Sequence, residues 1–576
     1  MTYARAALLA LLLPLVGAAQ AWPSNHAVDV ASPRGVVVST SGLASDIGAS
    51  VLGRGGNAVD AAVATAFALA VTHPSAGNIG GGGFMVIRLA NGQATTIDYR
   101  ERAPGRATRK MYVGKDGRID RALTAAGWLA PGVPGTVRGL HLAHQKYGKL
   151  PWADVVRPAA QLATNGVVMS ASFAEGLNAA LHRQLNRFPS SVAAYGKRGG
   201  SDWMVGDTLR LPDLGRALAS IATDGPAAFY EGWIADSLAA QMKDNGGLIG
   251  KKDLASYRAV ERAPVRGTFM GHEIIGMAPP SSGGTVVIQT LNMLEALGLE
   301  RYASANDPSL LHLRIEVAKR VYRDRARWMG DPDFVKVPVE RLTSKRYAAV
   351  LARGIDTARA TSSVVLGAGL IAEPVAESDE TTHFSVVDGE GNAVSSTYTL
   401  EGGYGSGVVV RGAGFLLNNE MGDFNKKPGE TNTQGDIGTP PNLIAPGKRM
   451  LSSMAPVIVT KNGQLRLVTG SPGGRTIPNT VISVVLGVAA FGLSGRDAVD
   501  LPRIHHQWLP DAASFEPGVT TDAGLLLLKT RGQTVRVGGR QGDAHSILWD
   551  AATHTAHGAA DRRTPDAKAS TPPAQP

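Results

Sequence analysis

The chain has 576 residues, of which 44% are hydrophobic, 18% are charged and none is cysteine, and its formal net charge is +10. This length and apolar content allow a large core, in one domain or in two that pack closely. The absence of cysteine excludes a disulfide-stabilised scaffold. The basic residues are scattered and not interleaved with aromatic residues, so the charge indicates solvation and attraction for small anions, not nucleic-acid binding.

Residues 1–21 have the pattern of a cleavable export signal. Arg5 supplies the positive start, residues 6–16 are apolar, and the small residues Ala19 and Ala21 mark the cleavage site. The apolar run is shorter than the roughly 20 residues that a membrane-spanning helix requires, and no later segment has an apolar run long enough to span a membrane. We therefore expect a periplasmic or secreted protein with no membrane span.

Helical patterns dominate the first two thirds of the chain. The spacing predicts helices over Ser41–Gly55 and Asn57–Thr72, and Asn57 is the expected N-cap of the second. A mainly helical stretch follows from Pro151 to Leu254. A further long helix over Pro308–Met329 carries Arg and Lys residues on a face that we expect to be exposed.

Other segments have the composition of loops, tails or strands. Thr361–Asp379 lacks periodicity and predicts a mobile linker. Pro428–Gly447 contains four prolines and four glycines, which predicts a surface loop. Ala560–Pro576 is rich in Ala, Pro and Thr, so we expect a disordered tail. The adjacent His505 and His506 would point to opposite faces of a strand, which disfavours a shared metal ion.

The stretch Glu380–Leu400 predicts a β-hairpin with a hydroxyl-bearing face. Two runs rich in Val, Thr and Tyr flank Gly389–Gly391, and glycine supplies the positive φ angles of a hairpin loop. Thr381 then falls opposite Tyr398 or Thr399, and both registers stay open.

A threonine hydroxyl becomes a useful nucleophile only beside a base. A free α-amino group on the same residue is one such base, with an ordinary pKa of about 8. For Thr381 this amine would exist only after cleavage of the Glu380–Thr381 bond, which composition does not reveal. Taken alone, the segment is an ordinary Thr-rich hairpin.

Four motifs, in this order and spacing, resemble the γ-glutamyltransferases, also called glutathione hydrolases. They are T-T-H-F-S-V-V-D-x-x-G-N-A-V-x-x-T-Y-T-L from Thr381, N-N-E-M-G-D-F at 418–424, L-S-S-M-A-P at 451–456 and T-G-S-P-G-G at 469–474. The similarity extends from about Ala31 to Asp561. It implies the αββα fold of the N-terminal nucleophile hydrolases, with two stacked, mainly antiparallel sheets, and chemistry that requires no metal or cofactor.

The resemblance implies a zymogen that cuts itself before Thr381. Removal of the signal peptide and this cut would leave a large subunit, 22–380, and a small subunit, 381–576, associated as one globule. The Thr381 hydroxyl would then attack glutathione or another γ-glutamyl compound and form a γ-glutamyl ester. Water, or the amine of an amino acid or dipeptide, would resolve that ester.

The resemblance also implies roles for other residues of the site. Thr399 would orient the nucleophile, and Gly473 and Gly474 would offer backbone N–H groups to the oxyanion. Arginine suits a carboxylate because its guanidinium donates two parallel hydrogen bonds. The residues expected to bind the α-carboxylate are Arg100, Ser452 and Ser453. The residues expected to bind the α-ammonium are Glu401, Glu420 and Asp423.

Two other functions remain open. A cephalosporin acylase of the same family would take glutaryl side chains, and the three acidic residues argue against it because a glutaryl group has no α-ammonium. A non-catalytic periplasmic amino-acid binder would keep the site without maturation. Glu401 stands where many family members have asparagine, and Glu420 where some have glutamine, so donor preference is also open.

Overall fold

Two seven-stranded sheets form the centre of the molecule in the computed structural model, which describes residues 29–370, 381–433 and 435–574. The predicted export signal, the last part of the predicted linker and Glu380 lie outside these ranges. The strands are β1 (Val30–Ser32), β2 (Gly35–Ser39), β3 (Gly82–Arg88), β4 (Ala94–Asp98), β5 (Val167–Val168), β6 (Thr208–Leu209), β7 (Val260–Arg262), β8 (Val265–Phe269), β9 (His272–Gly276), β10 (Thr382–Asp388), β11 (Ala393–Thr399), β12 (Val457–Lys461), β13 (Gln464–Thr469), β14 (Ile504–His505), β15 (Ala513–Phe515), β16 (Val535–Val537), β17 (Ser546–Asp550), β18 (Thr555–Ala559) and β19 (Lys568–Ser570).

Helices lie on the outer faces of the two sheets. They are α1 (Gly42–Gly53), α2 (Ala58–Thr72), α3 (Ala122–Ala125), α4 (Thr136–Tyr147), α5 (Trp152–Asn165), α6 (Ala171–Arg183), α7 (Pro189–Tyr195), α8 (Pro212–Asp224), α9 (Pro226–Tyr230), α10 (Trp233–Asp244), α11 (Lys251–Ser256), α12 (Gly283–Ala296), α13 (Pro308–Trp328), α14 (Val339–Leu342), α15 (Lys345–Arg353), α16 (Ser363–Leu366), α17 (Ile477–Ala489), α18 (Gly495–Asp500) and α19 (Asp522–Thr530). Among the described residues, none of these helices combines the length and the apolar character needed to cross a membrane.

The strand order explains how the layers form. One sheet runs β19-β2-β10-β11-β3-β4-β7 and the other β1-β18-β17-β13-β12-β9-β8, and neighbouring strands in both are antiparallel. One face of the first sheet packs on the alanine-rich α2, and its other face packs on the second sheet, which α12 and α17 cover. This is the predicted αββα arrangement, and it is confirmed.

The hairpin that carries Thr381 forms as predicted and lies inside the first sheet. Thr382 pairs with Tyr398 and Ser385 with Ser395, so Thr381 faces Thr399, one of the two registers left open. Every residue of β10 and β11 is buried, because one face meets α2 and the other meets the second sheet. The hairpin is thereby held on both sides, which fixes the position of its first residue.

The predicted N-cap at Asn57 is also confirmed. Its side-chain oxygen accepts hydrogen bonds from the backbone N–H groups of Val59 and Asp60, each at 3.0 Å, while the Asp60 carboxylate accepts one from the Asn57 N–H. This reciprocal capping satisfies donors that a helix start otherwise leaves unpaired.

The prediction of an exposed basic face on α13 is wrong. Arg314, Lys319, Arg320 and Arg325 are each less than one tenth exposed. The helix packs between α12 and α19. Its basic residues bond to Glu316 of the same helix and to groups from distant parts of the chain, such as Ser483 and Thr361. Burial of these charges is tolerated because each is paired or hydrogen-bonded.

Two segments, one predicted to be a disordered tail and the other a surface loop, are ordered parts of the fold. Residues 561–570 contain β19, which pairs with β2, and the buried Asp561, which forms an ion pair with Arg503. The prediction of a disordered tail is therefore wrong for these residues.

The prediction of a surface loop over 428–447 is wrong as well. Most of its described residues are buried or half-buried, and Thr439 donates a hydrogen bond to a carbonyl of α13.

Candidate active site

A cavity at the start of β10 brings together residues that lie far apart in the sequence. Its lining includes the predicted residues Arg100, Thr381, Thr399, Glu401, Glu420, Asp423, Ser452, Ser453 and Gly474. The tenth predicted residue, Gly473, precedes Gly474 in the same loop. Glu380, on the other side of the predicted cleavage bond, lies outside the described residues.

Thr381 stands where a buried polar face of the hairpin reaches the cavity. Side chains alternate along strands, so Thr381 and His383 share the face that meets the second sheet. The His383 Nδ1 atom lies 2.8 Å from the Thr397 hydroxyl, and its Nε2 atom lies 3.0 Å from the Ser385 hydroxyl. Burial lowers the pKa of His383 well below its usual value, so this imidazole is neutral and supports the strand pair without adding charge.

Arg100 is a fully buried cation at one end of the cavity. It follows β4, and its Nη1 atom lies 2.6 Å from Glu420, while its Nη2 atom bonds to Asp423. Its Nε atom donates to the Met450 carbonyl at 3.3 Å. The residue expected to bind a carboxylate is therefore already paired with two of the residues expected to bind an ammonium. The two groups form one mixed-charge cluster instead of separate subsites.

Burial sets the protonation of two carboxylates around this guanidinium. Desolvation raises the pKa of Glu420 well above its usual value, although Arg100 opposes the shift. Desolvation likewise raises the pKa of Glu101 to about 8, again opposed by Arg100. Glu101 lies 3.6 Å from Arg100, and neither of its carboxylate oxygens has a hydrogen-bond partner among the described residues. Sequence reasoning missed Glu101, although its position next to Arg100 was a signal.

A serine turn before α12 and an arginine of α13 hold the Ser452–Ser453 segment. The Ser282 N–H and hydroxyl both donate to the Ser452 carbonyl, at 2.8 and 2.7 Å. Arg325 donates from Nη2 to the Ser453 hydroxyl and from Nε to the Ser282 hydroxyl, both at 2.9 Å. The two serines therefore sit on a rigid support, with Arg325 as their neighbour in the cavity lining.

The loop at Gly473 and Gly474 has a backbone that requires glycine at its first position. The φ angle of Gly473 is +120°, and a Cβ atom there would lie 2.5 Å from the Thr476 hydroxyl. The Thr476 N–H and hydroxyl both donate to the Gly473 carbonyl, at 2.9 and 2.7 Å. Because the loop leads directly into α17, it presents N–H groups at the positive end of a helix, a setting that favours negative charge.

Sequence reasoning missed two further arginines that line the cavity, Arg325 and Arg475. Arg325 was assigned to the exposed face of α13, because periodicity alone cannot show what covers a helix. Arg475 follows the glycine pair directly, and that adjacency was an available signal.

The two adjacent histidines have protein partners. The His505 side chain contacts Asn479, and the His506 side chain contacts Asp511. Among the described residues, no group of three or more His, Asp or Glu side chains is arranged to hold a metal ion.

The fold and the cavity define the class of protein: an enzyme with the N-terminal nucleophile hydrolase fold. A family model described as gamma-glutamyltranspeptidase matches residues 44–571. The glutathione hydrolase proenzyme of Escherichia coli (strain K12) is 45% identical over 519 residues, which cover 90% of this chain and 89% of the relative. The chain belongs to the gamma-glutamyltranspeptidase family.

Solved structures agree with this assignment. The cephalosporin acylase of Bacillus halodurans has a TM-score of 0.83 at 27% identity and covers 96% of this chain and 99% of its own. The gamma-glutamyltranspeptidase of Helicobacter pylori has a TM-score of 0.54 at 44% identity and covers 58% of this chain and 96% of its own. The shared architecture therefore spans nearly the whole chain.

Proposed function

We propose that the protein is an exported, self-cleaving γ-glutamyltransferase and glutathione hydrolase with Thr381 as its nucleophile. The observation that carries the proposal is the mixed-charge cluster of Arg100, Glu420 and Asp423 in the same cavity as Thr381. A γ-glutamyl group has an α-carboxylate and an α-ammonium on one carbon and its reactive carbonyl three carbons away. Paired opposite charges and a hydroxyl in the lining of one cavity match this set of groups.

Maturation would be the first use of Thr381. Its hydroxyl attacks the carbonyl carbon of Glu380, the peptide nitrogen leaves that carbon and takes a proton, and an ester joins Glu380 to the Thr381 oxygen. Water then hydrolyses the ester, which leaves a carboxylate on Glu380 and a free α-amine on Thr381. The E. coli relative is named a proenzyme, which supports a processed precursor here.

Turnover would reuse the same hydroxyl, now beside its own amine. The amine takes the hydroxyl proton as Thr381 attacks the γ-carbonyl, and it returns the proton to the departing amine of the Cys-Gly portion of glutathione. The negative charge that develops on the carbonyl oxygen meets the N–H groups of Gly473 and Gly474. One such donor stabilises the transition state by roughly 3–4 kcal/mol. Water or an acceptor amine then resolves the ester.

Substrate binding would rearrange the charge cluster. The α-carboxylate takes hydrogen bonds from Arg100, Ser452 and Ser453, and the α-ammonium is bound by carboxylates from the set Glu401, Glu420 and Asp423. Arg100 thereby exchanges part of its pairing with protein carboxylates for pairing with the substrate. The zwitterion keeps the net charge of the cluster constant, which limits the desolvation cost of binding.

A direct assay separates this function from its alternatives. The purified protein is analysed by intact mass and N-terminal sequencing and then given a γ-glutamyl anilide and the matching glutaryl anilide. We expect two fragments, the smaller beginning T-T-H-F, and faster release from the γ-glutamyl compound because a glutaryl group leaves the acidic side chains without a cation. Preference for the glutaryl compound would indicate a cephalosporin acylase, and an uncleaved chain without turnover would indicate a binding protein.

Export follows from the predicted signal over residues 1–21 and has its own test. Fractionation of cells that express the full chain should recover the activity in the periplasm or medium. N-terminal sequencing of the larger fragment should begin at Trp22. Activity confined to the cytoplasm, with the first 21 residues retained, would contradict this part of the proposal.

A further inference from the structure

Among the described residues, three arginines line the cavity, and each contacts a different part of it. Arg100 pairs with Glu420 and Asp423 at the end expected to hold the amino-acid portion of the donor. Arg325 donates to two serine hydroxyls and supports the Ser452–Ser453 segment. The third, Arg475, also lines the cavity and comes immediately after the glycine pair.

Separate contacts hold the backbone of Arg475 and its guanidinium. The Tyr322 hydroxyl donates to the Arg475 carbonyl at 2.5 Å, which fixes the backbone against α13. The Arg475 Nη1 atom donates to the Gly435 carbonyl at 3.1 Å, which orients the side chain toward the loop that contains Gly435. The residue is half-buried, so its guanidinium is both oriented and reachable from the cavity.

The structure of the γ-glutamyl donor indicates a role for the Arg475 guanidinium. With the α-carboxylate at Arg100 and the γ-carbonyl at Thr381 and Gly474, the leaving group must extend past the glycine pair. In glutathione this portion is Cys-Gly, which ends in a second carboxylate. We propose that Arg475 forms a carboxylate subsite for the leaving peptide, and for an acceptor peptide that enters in its place. This inference rests on the proposed function of the site.

Electrostatics favour a separate cation at this position. Glu401 and Asp423 line the cavity, and their carboxylates disfavour a second anion near the amino-acid portion of the donor. Arg100 cannot serve both carboxylates of glutathione, because it is fully buried and paired with Glu420 and Asp423. A half-buried guanidinium beside the glycine pair binds a carboxylate through charge-assisted hydrogen bonds, which are stronger than neutral ones.

The test is a two-by-two comparison of substrate and enzyme. Glutathione and its C-terminal glycine amide differ only in the second carboxylate, and both are given to the parent enzyme and to Arg475→Gln. With the parent, we expect the amide to have a KM about tenfold higher than the acid at similar kcat, because the subsite binds ground state and transition state alike. With Arg475→Gln, we expect the acid-to-amide ratio of kcat/KM to approach one.

Two further variants complete the design. Arg475→Lys keeps the charge but loses the planar fork, so we expect an intermediate ratio. Arg346→Gln removes an exposed arginine of α15 and should leave the ratio at the parent value. The comparison of acid and amide on the parent enzyme needs no variant, so it can refute the subsite even where Arg475→Gln fails to fold, and Arg475→Lys then tests the assignment to this residue.

The outcomes separate this inference from the proposed function. If the parent cleaves acid and amide equally well, or if Arg475→Gln keeps the parent ratio, the carboxylate subsite is refuted while the γ-glutamyl activity stands. If the parent cleaves neither compound and no γ-glutamyl anilide, the proposed function fails, and the subsite fails with it. A tenfold preference for the acid that disappears in Arg475→Gln supports both.

Discussion

Replacement of Gly473 by alanine tests the proposed oxyanion role of its loop, because the change adds one atom against the Thr476 hydroxyl, at a φ that favours glycine. The new Cβ would lie 2.5 Å from the Thr476 hydroxyl and 3.3 Å from the Gly542 Cα atom, at a φ of +120°. Restoring an ordinary contact of 3.4 Å to Thr476 requires a displacement of about 0.9 Å, the difference between 3.4 and 2.5 Å. Such a shift moves the N–H groups of the loop out of hydrogen-bond range of the developing oxyanion.

The magnitude follows from the lost hydrogen bond and the strain. Loss of one oxyanion donor costs about 2.7–4 kcal/mol, so kcat should fall by about 10²–10³-fold. The KM should change little, because the donor acts mainly on the charge that develops in the transition state. Backbone strain at this φ should also reduce the free energy of unfolding by about 1–3 kcal/mol.

The assay measures kcat and KM with a γ-glutamyl anilide on matured protein, together with thermal unfolding. Gly518→Ala is the matched control, since Gly518 also has a positive φ, +81°, yet a Cβ there meets nothing within 4 Å. The control should lose similar stability and keep kcat within about twofold. A Gly473→Ala enzyme that matures and keeps kcat within threefold of the parent would refute the oxyanion role.

Three other predictions concern maturation, pH and the C-terminal segment. Thr381→Ala should remain one chain on a denaturing gel and Thr381→Ser should mature more slowly; two fragments from the alanine variant would point to an outside protease. Burial raises the pKa of Glu101 from 4.5 to about 8, so the folded protein retains a proton that the unfolded chain loses, and stability should fall as pH rises between these values. Urea unfolding of Glu101→Gln should show a smaller decline, since the raised pKa of Glu420 still contributes its own part, and an identical slope would contradict the assignment. Asp561→Asn breaks buried pairs with Arg503 and Arg563, so we expect a loss of about 3–5 kcal/mol in unfolding free energy, and a melting temperature within 2 °C of the parent would argue otherwise.

Local patterns predicted those parts of the fold that depend on neighbours in sequence. The cap at Asn57 and the hairpin of β10 and β11 each involve residues within about twenty positions, and both are confirmed. The αββα arrangement came from resemblance, because the pairing of β19 with β2 joins segments more than 500 positions apart. Composition could not reveal that pairing, so the end of the chain was predicted to be disordered.

The same distinction between local and long-range information applies to the site. The motifs identified the residues that line the cavity, but not which charges they contact. The pairing of Arg100 with Glu420 and Asp423, and the support that Arg325 gives to Ser453, depend on how distant segments meet. The raised pKa of Glu101 depends on burial. From sequence, burial is known only as the average tendency of each residue type, and glutamate is usually exposed.

The strand order has a consequence for what happens to the two pieces once the proposed cut is made. In the described part of the chain, strands from before and after the cut meet at five places, namely β19 with β2, β2 with β10, β11 with β3, β1 with β18 and β12 with β9. Separation of the pieces would require all five hydrogen-bond ladders to open together. Dilution should therefore not dissociate the processed enzyme. Its specific activity should be the same at nanomolar and micromolar concentration, as for a protein made of one chain.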